Sequence, residues 1–441
     1  MALCLKQFTK DPLLDYSNSL NRSKHYGGKT MKKLLLTSAA VAAASLAVSP
    51  AYAKDGGVKL GVSGVYKGYV AYLDQDSAPG TDERAIDILR EDELRFSGST
   101  TLDNGLTVGG YFEYDLQGDT RSANNVEEAY AFLSGGWGRI NLGEEDNAAF
   151  LLQVGAPSAD GNLDGLRNSV DPVNYSIARG TLTRNLRSNV GRGFLFDQDY
   201  DMDAADRQTG ITYLTPVFSG FQAGVSYIPE VAAEANQTQA FGVNQDDETG
   251  DLGEAYSIAA RYQGKFEDVG VNLGVGFTQV QEEDNGVFFG AGSDVDGDGV
   301  AETAETDDQT AWNVGLDINW KAFGLGAAYQ EDDWGVDDSD NNDAERQTYV
   351  IGADYTHGPF KFGASYYKKD QELEFLTSTD GELETTRYTG GVIYTYGPGM
   401  TFRGSVSYTE IEEPGDLGGA LAGTSQDTEA VGVLVGTQIN F

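Results

Sequence analysis

The sequence predicts an all-β chain that folds as a transmembrane antiparallel β-barrel of about sixteen strands. Three observations predict it. Apolar and polar residues alternate with a period of two in many segments. Short turns alternate with long acidic connections along the chain. The parse into strands gives an even number, which places both termini at the end of the barrel that carries the short turns.

The clearest alternation is in the segment QTAWNVGLDINW at 309–320. Its apolar face begins at Trp312 and ends at Trp320, while Asn313 and Asp317 lie on the opposite, polar face. Eight residues at ~3.3 Å each, tilted by ~40°, separate the two tryptophans by about 20 Å along a membrane normal, close to the height of the apolar band of an outer-membrane barrel. The same alternation occurs in LTVGGYFEYDLQ at 106–117, FKFGASYY at 360–367 and TFRGSVSYT at 401–409.

Short and long connections alternate along the chain, as they do in a membrane barrel whose short turns lie at one end and long loops at the other. Short turns are predicted at 103–105, 135–138, 218–220, 321–323, 357–359 and 397–399. Long acidic connections are predicted at 74–85, 147–205, 230–252, 282–308, 332–345, 369–384 and 413–427, and we expect them on the extracellular side. A soluble β-sandwich or a secreted repeat protein also alternates, but its loops would not sort by length and its aromatic residues would not crowd the strand ends.

The first 53 residues are not expected in the mature barrel. From Met31, MKKLLLTSAAVAAASLAVSPAYA has two lysines, a short apolar run and a small-residue cleavage site, as in a secretory signal peptide. We expect residues 1–30 to be a misassigned N-terminal extension, with translation starting at Met31. Residues 31–53 are then the signal peptide and residues 54–441 the barrel.

The expected mature chain is strongly acidic and contains no cysteine. Residues 54–441 carry 23 basic and 67 acidic side chains, a net charge of −44. Such a charge excludes a nucleic-acid partner, because the phosphate backbone would be repelled. Cys4 precedes the signal peptide, so no disulfide is expected in the exported protein.

Three stretches carry a family resemblance: TGITYLTPVFSGFQAGVSY at 209–227, EEAYAFLSGGWGRINLGE at 127–144 and the closing VGVLVGTQINF at 431–441. They resemble the general Gram-negative porins. The resemblance implies a homotrimer in the outer membrane, in contact with the lipid bilayer and lipopolysaccharide, that passes small hydrophilic solutes by diffusion and requires no cofactor. It also implies that Phe441 is read by the barrel-insertion machinery and that the third long loop, here 147–205, folds into the barrel and narrows the channel.

Charged residues that face inward by parity, or that lie in the third loop, are the candidate pore-lining and constriction residues. Where the family usually has arginine after Leu-Gly, this chain has Glu144, so the basic side of the expected transverse field is weakened. Carboxylates in a narrow lumen attract cations, and we therefore expect a cation preference. The candidates are Lys67, Glu93, Arg95, Glu113, Asp115, Arg139, Glu144, Glu145, Arg179, Arg184, Arg187, Asp197, Asp199 and Asp201.

Two other functions compete with general diffusion. A barrel enzyme would use histidine as its general base, but within residues 54–441 the sequence has only His357, in the short turn THGP. We therefore expect no enzymatic activity. A solute-specific channel such as a sugar porin would have aromatic side chains along the lumen, and the inward positions are expected to show few.

The segment DVDGDGVAETAE at 294–305 matches the calcium loop of an EF-hand. Asp294, Asp296, Asp298 and Glu305 occupy ligand positions of the loop. The preceding NGVFFGAGS contains three glycines, which excludes the flanking helix of a calcium sensor. Two interpretations stay open: an extracellular loop that binds one Ca²⁺, or a solvated acidic loop without a specific ion. A calcium-dependent surface or structural protein is the corresponding alternative function.

Overall fold

The computed structural model describes residues 57–77, 84–116, 126–174, 198–205, 207–231, 252–282, 307–333, 335, 345–372, 382–412 and 427–441. These residues form sixteen β-strands and two short helices. The strands are β1 Lys59–Gln75, β2 Ile86–Thr101, β3 Thr107–Asp115, β4 Val126–Gly135, β5 Gly138–Glu145, β6 Gln208–Leu214, β7 Phe221–Ile228, β8 Leu252–Phe266, β9 Val269–Glu282, β10 Gln309–Trp320, β11 Phe323–Asp332, β12 Arg346–His357, β13 Phe360–Glu372, β14 Glu382–Gly397, β15 Met400–Glu412 and β16 Thr428–Asn440. The helices, both between β5 and β6, are α1 Ala148–Leu151 and α2 Gly161–Asp164.

The strands close into a barrel. Each strand pairs with its neighbours in the chain, and β1 pairs antiparallel with β16. Closure extends to the last residue, because Gly64 N–H donates to the Phe441 carbonyl at 2.8 Å and Phe441 N–H donates to the Gly64 carbonyl at 3.0 Å. A closed barrel has no unpaired sheet edge. The predicted sixteen-stranded antiparallel barrel is confirmed.

Each strand has one apolar outer face and one polar inner face. On β10 the outward Trp312 and Trp320 are 39% and 48% exposed, whereas the inward Asn313 and Asp317 are 3% and 1% exposed. An apolar outer face suits a lipid bilayer, where every backbone N–H and C=O must be paired within the protein. The predicted alternation is confirmed, and it places the polar side chains in the lumen.

Tight turns join the strands at one end of the barrel. Two-residue turns lie at 136–137, 267–268, 321–322, 358–359 and 398–399. The connections at the other end are longer, as predicted from the sequence. Among the described residues, no helix is long and apolar enough to cross a membrane.

Candidate pore and constriction

The connection between β5 and β6, residues 146–207, is here called loop 3, and its described residues 146–174, 198–205 and 207 lie inside the barrel. At its start, Ala148 N–H donates to Ser226 Oγ on β7 at 2.8 Å, and Ala149 N–H donates to Ser257 Oγ on β8 at 2.9 Å. Farther along, the loop contacts the inner faces of β9 to β16 and of β1. The described part of loop 3 therefore narrows the lumen, as the resemblance implied.

A row of inward glycines lets loop 3 approach the wall closely. A Cβ atom on Gly315 would overlap the Val154 carbonyl oxygen, and one on Gly352 would overlap the carbonyl oxygen of Pro157. Because glycine has no Cβ, the loop backbone can lie directly on the strands. We call this row the glycine track: Gly224, Gly274, Gly276, Gly315, Gly326, Gly352, Gly363, Gly391 and Gly432.

A buried carboxylate anchors the middle of loop 3. Asp160, at the N-cap of α2, is 0% exposed. It accepts hydrogen bonds from Tyr69 Oη on β1 at 2.9 Å and from Arg403 Nη1 on β15 at 2.5 Å. Asn162 Nδ2 donates to the same Tyr69 hydroxyl at 2.8 Å. Sequence reasoning missed this anchor: Asp160 followed by glycine indicates a helix cap, but nothing in the sequence indicates its partner 243 residues away.

A second set of polar contacts ties loop 3 to the wall and to itself. The Lys67 ammonium lies 2.5 Å from Glu91 Oε2 on β2 and donates to Ser169 Oγ of the loop at 3.0 Å. Within the loop, Arg167 Nε donates to Asp201 Oδ2 at 2.5 Å. Lys67 thus faces inward, as its parity predicted, and connects the wall with the constriction.

The structure brings several predicted residues together on the inner face of β2, β3 and β4. Arg95 Nε lies 2.9 Å from Glu113 Oε2, and Arg95 also forms an ion pair with Glu93. Carboxylate oxygens of Glu93, Glu113 and Glu127 all lie within 4.8 Å of one another, a grouping that can hold a metal ion. We call these three residues the carboxylate wall. Sequence reasoning did not select Glu127.

Three further candidates on the wall face inward. Asp115 pairs in register with the inward Glu93. On β5, Arg139 Nε donates to Asn141 Oδ1 at 2.6 Å, and Asn141 Nδ2 donates to Glu145 Oε1 at 2.7 Å. These contacts extend the charged inner surface from β2 to β5.

The prediction for Glu144 was wrong in its direction. Glu144 pairs in register with Ala129, on the same strand face as the outward, 58% exposed Leu142. Its neighbours Gly143 and Glu145 point to the lumen instead. Because successive side chains of a strand alternate between faces, Glu144 cannot share the inner face with Glu145. Glu144 was expected in the pore because it replaces the arginine of the family motif, and the alternation of side chains along β5 excludes that position.

The candidates within loop 3 are partly described. Asp199 accepts a hydrogen bond from Asn168 N–H. Asp201 is 3% exposed and pairs with Arg167, so its carboxylate stabilises loop 3 instead of lining open lumen. Burial and the neighbouring Asp203 hold the pKa of Asp201 well above its usual range. Outside the described residues lie Arg179, Arg184, Arg187, Asp197 and the candidate calcium ligands Asp294, Asp296, Asp298 and Glu305.

Aromatic side chains occupy more of the inner wall than we expected. Tyr111 on β3 and Tyr130 on β4 both face the lumen, with ring centroids 5.2 Å apart. The Arg139 guanidinium lies 4.1 Å from the centroid of the Phe132 ring. The signal was present in EEAYAFLSGG, where period-two parity places tyrosine and phenylalanine on the face of Glu128.

Buried Asp164 of α2 gives a pH-dependent contribution to stability. Burial, partly offset by a hydrogen bond from Ser365 Oγ at 2.7 Å, raises its pKa to about 6. The folded chain therefore takes up this proton at a higher pH than the unfolded chain, whose pKa is near 4. The ionised form costs stability above about pH 6, and stability is regained as the pH falls from about 6 to about 4.

We therefore predict that the pH profile of stability changes in Asp164→Asn, which has nearly the same shape but no charge. At pH 7 the variant should be more stable relative to wild type than it is at pH 4, by roughly 1–3 kcal/mol. Unfolding in detergent at both pH values measures this difference, and the comparison cancels the other carboxylates that titrate in the same range. Parallel profiles for the two proteins would contradict the prediction.

Comparison with known proteins identifies the family. Residues 35–414 match the family model described as Gram-negative porin. The chain belongs to the Gram-negative porin family. This porin is also 24% identical over 221 residues to an uncharacterized protein of Rickettsia conorii, which covers 46% of this chain and 49% of that protein. The chain thus spans about half the length of the curated relative that it matches.

Solved structures share the fold of this porin. An anion-selective porin from Comamonas acidovorans is 17% identical with a TM-score of 0.54, covering 87% of this chain and 100% of that one. OmpT of Vibrio cholerae in its trimer form is 14% identical with a TM-score of 0.52, covering 87% and 99%. The outer membrane channel DcaP of Acinetobacter baumannii is 14% identical with a TM-score of 0.51, covering 88% and 99%. At these identities the likeness shows the fold alone.

Family membership makes the barrel that of a Gram-negative porin. Its lumen is bounded on one side by loop 3, seated on the glycine track, and on the other by the charged faces of β2 to β5. A solute that crosses this porin therefore passes between the loop and the carboxylate wall.

Proposed function

We propose that the protein is a general diffusion porin that passes small hydrophilic solutes and prefers cations. The observation that carries this proposal is the excess of carboxylates on the inner side of the barrel beside loop 3. They are Glu91, Glu93, Glu113, Asp115, Glu127, Glu128 and Glu145, against the basic side chains Lys67, Arg95, Arg139 and Arg207, the last of which pairs with Glu127.

This charge excess acts on permeating ions because the lumen is narrow and its protein walls have a low dielectric constant. Field lines are then focused along the channel, and small cations are concentrated there relative to anions. Arg95 compensates part of the field, since it pairs with both Glu93 and Glu113. The net sign nevertheless favours cations, because the carboxylates outnumber the basic groups.

Charge neutralisation at the carboxylate wall tests this proposal. In a planar bilayer with a KCl gradient, we expect the wild type to show a reversal potential of cation-preferring sign. The double variant Glu113→Gln, Glu127→Gln should lower the potassium-to-chloride permeability ratio about fivefold or more, since a unit charge near 4 Å is worth ~1 kcal/mol even in water. Glu144→Gln is the control for the chemical change: it removes one charge where the double variant removes two, and it lies on the outer face of β5.

Two outcomes would remove the proposal. A wild-type reversal potential that favours chloride contradicts the cation preference, and folded protein that gives no conductance contradicts the channel itself. An equal effect of Glu144→Gln and the double variant would mean that the whole surface charge, and not the carboxylate wall, sets the selectivity.

Assembly and calcium belong to the same proposal. We infer a homotrimer in the outer membrane, exported by the signal peptide at 31–53, in contact with lipopolysaccharide and inserted through recognition of Phe441. A Ca²⁺ ion in the loop at 294–305 is part of the inference. The same bilayer recordings address both points: conductance steps in groups of three support the trimer, and recordings that calcium leaves unchanged remove any calcium effect on the open channel.

The inner aromatic residues favour a second candidate, a channel with a preference for sugars or other ring-shaped solutes. Tyr111 and Tyr130 place two aromatic rings, tilted by 31° to each other, beside the carboxylate wall. In a selective channel a sugar added to the bilayer chamber blocks the ion current in a saturable manner. If the current instead falls only in proportion to the viscosity that the sugar adds to the solution, the channel has no sugar site and this candidate function is wrong.

A further inference from the structure

Arg387 is a buried arginine of the inner wall. It takes no part in the constriction contacts described above. It lies on the inward face of β14 and is 2% exposed. Its Nη1 donates to Gln198 Oε1 of loop 3 at 2.6 Å, and its guanidinium carbon lies 5.0 Å from the Tyr367 ring centroid on β13. Arg387 is therefore enclosed between the wall and loop 3, away from the path of ions.

The other side of the guanidinium has no partner among the described residues. There, neither Nε nor Nη2 of Arg387 makes a hydrogen bond, although both atoms are buried. These two N–H groups form the side-on fork of arginine, which matches two oxygens of a carboxylate or phosphate. Among the described residues, Arg387 makes no ion pair, unlike Arg403 on the next strand, which pairs with Asp160.

Two hydroxyl groups on the same face of β14 also have no hydrogen-bond partner among the described residues. Thr385 and Thr389 flank Arg387 on β14 and are 1% and 5% exposed, and neither Oγ1 has a hydrogen-bond partner. Alternate residues of a strand lie about 7 Å apart on one face. Buried polar groups are almost always hydrogen-bonded in folded proteins, so three consecutive inward side chains that each carry unpaired buried polar atoms indicate a bound group between them.

We propose that Arg387, with Thr385 and Thr389, binds a small oxyanion, a phosphate or a carboxylate, enclosed between β14 and loop 3. The guanidinium fork holds two of its oxygens, and the threonine hydroxyls donate to the oxyanion. The bound anion also neutralises an arginine charge that is costly to bury alone. This site differs from the carboxylate wall in position and in the sign of its ligand.

The closest competing explanation is a water molecule that joins Arg387 to Asp164. Asp164 Oδ2 accepts from Ser365, while its Oδ1 has no hydrogen-bond partner. The two explanations predict different effects of Asp164→Asn. An oxyanion is repelled by the Asp164 carboxylate and binds more tightly in the variant, whereas a bridging water can still donate to the asparagine amide oxygen and phosphate retention does not change.

The test measures the anion directly and is independent of channel activity. The full chain is refolded from urea into detergent with radiolabelled inorganic phosphate, and the phosphate retained per folded chain is measured after gel filtration. The wild type should retain about one phosphate per chain, and Arg387→Gln should retain at least about tenfold less. Excess acetate shows whether carboxylates compete for the site, and chloride should not compete.

Three further variants keep the test decisive if Arg387→Gln folds poorly. Arg387→Lys keeps the charge but loses the fork, so retention should fall. The double variant Thr385→Val, Thr389→Val should also lower retention, and Asp164→Asn should raise it. Arg139→Gln, an inner-wall arginine already bonded to Asn141, is the control and should retain phosphate as the wild type does.

Two outcomes would overturn the proposal. Wild-type protein that retains neither phosphate nor acetate above the level of Arg387→Gln has water in this site. Equal phosphate retention in the wild type and all Arg387 variants places the anion elsewhere in the protein.

Discussion

Gly315→Val should displace loop 3 from the inner wall toward the carboxylate wall and narrow the channel. The new side chain would overlap the Val154 carbonyl, which now lies against the backbone of β10. Overpacking of this kind costs about 1–3 kcal/mol when the structure shifts to relieve it. Single-channel conductance should therefore fall and the barrel should unfold at a lower temperature. Gly352→Val, which meets Pro157, should have the same two effects.

The control is a glycine on the other face of the wall. Gly390 of β14 points outward, and a Cβ atom there meets nothing within 4 Å. Gly390→Val should leave conductance unchanged, because it makes the same chemical change without touching loop 3. Unchanged conductance in both Gly315→Val and Gly352→Val, from folded protein, would show that the glycine track does not set the loop position.

Asp160→Asn should destabilise the loop more than any other single change in its middle section. The substitution removes the charge that pairs with Arg403, whose side chain is 12% exposed. Breaking a buried ion pair costs about 3–5 kcal/mol, because the remaining charge is left without compensation. The temperature at which the folded barrel is lost in detergent measures the effect. Conductance should also fluctuate, since the same carboxylate accepts from Tyr69.

A double-mutant cycle distinguishes the ion pair from a simple loss of packing. Arg403→Gln should be destabilising in the wild type and nearly neutral in Asp160→Asn, because the partner is already absent. Additive effects of the two substitutions would mean that they act separately. In that case the carboxylate would owe its importance to Tyr69 and to the cap of α2.

Strand number, strand faces and the alternation of turns could be predicted because each depends on local sequence. Trp312 and Trp320 indicate the outer face of β10 through period-two alternation alone, and the structure places them there. The same rule placed Lys67, Arg95 and Glu113 in the lumen. Glu144 was misplaced because family analogy, and not this rule, was used for it; parity with the inward Glu145 would have placed it on the outer face.

The position of loop 3 on the inner wall could not be predicted, since it depends on contacts between residues that are distant in the sequence. Glycines such as Gly315 and Gly352 are common in barrel strands, so sequence alone does not separate those that touch the loop from those that only relieve crowding. Asp201 was expected to line the pore, but its burial against Arg167 depends on how the loop folds back on itself. Parity predicts which face of a strand a residue occupies. It does not predict how far along the barrel axis the residue lies or whether loop 3 buries it.

The spread of loop 3 across the wall has an evolutionary consequence. Its described contacts involve strands from β7 to β16 and also β1. The conformation of the loop therefore depends on residues scattered over most of the barrel. A third loop transferred from another porin would lack the wall glycines that it contacts in its own barrel, because those glycines belong to the strands and not to the loop. Changes of permeability in this lineage should therefore arise by exchange of side chains on a conserved backbone path, and only rarely by replacement of the whole loop.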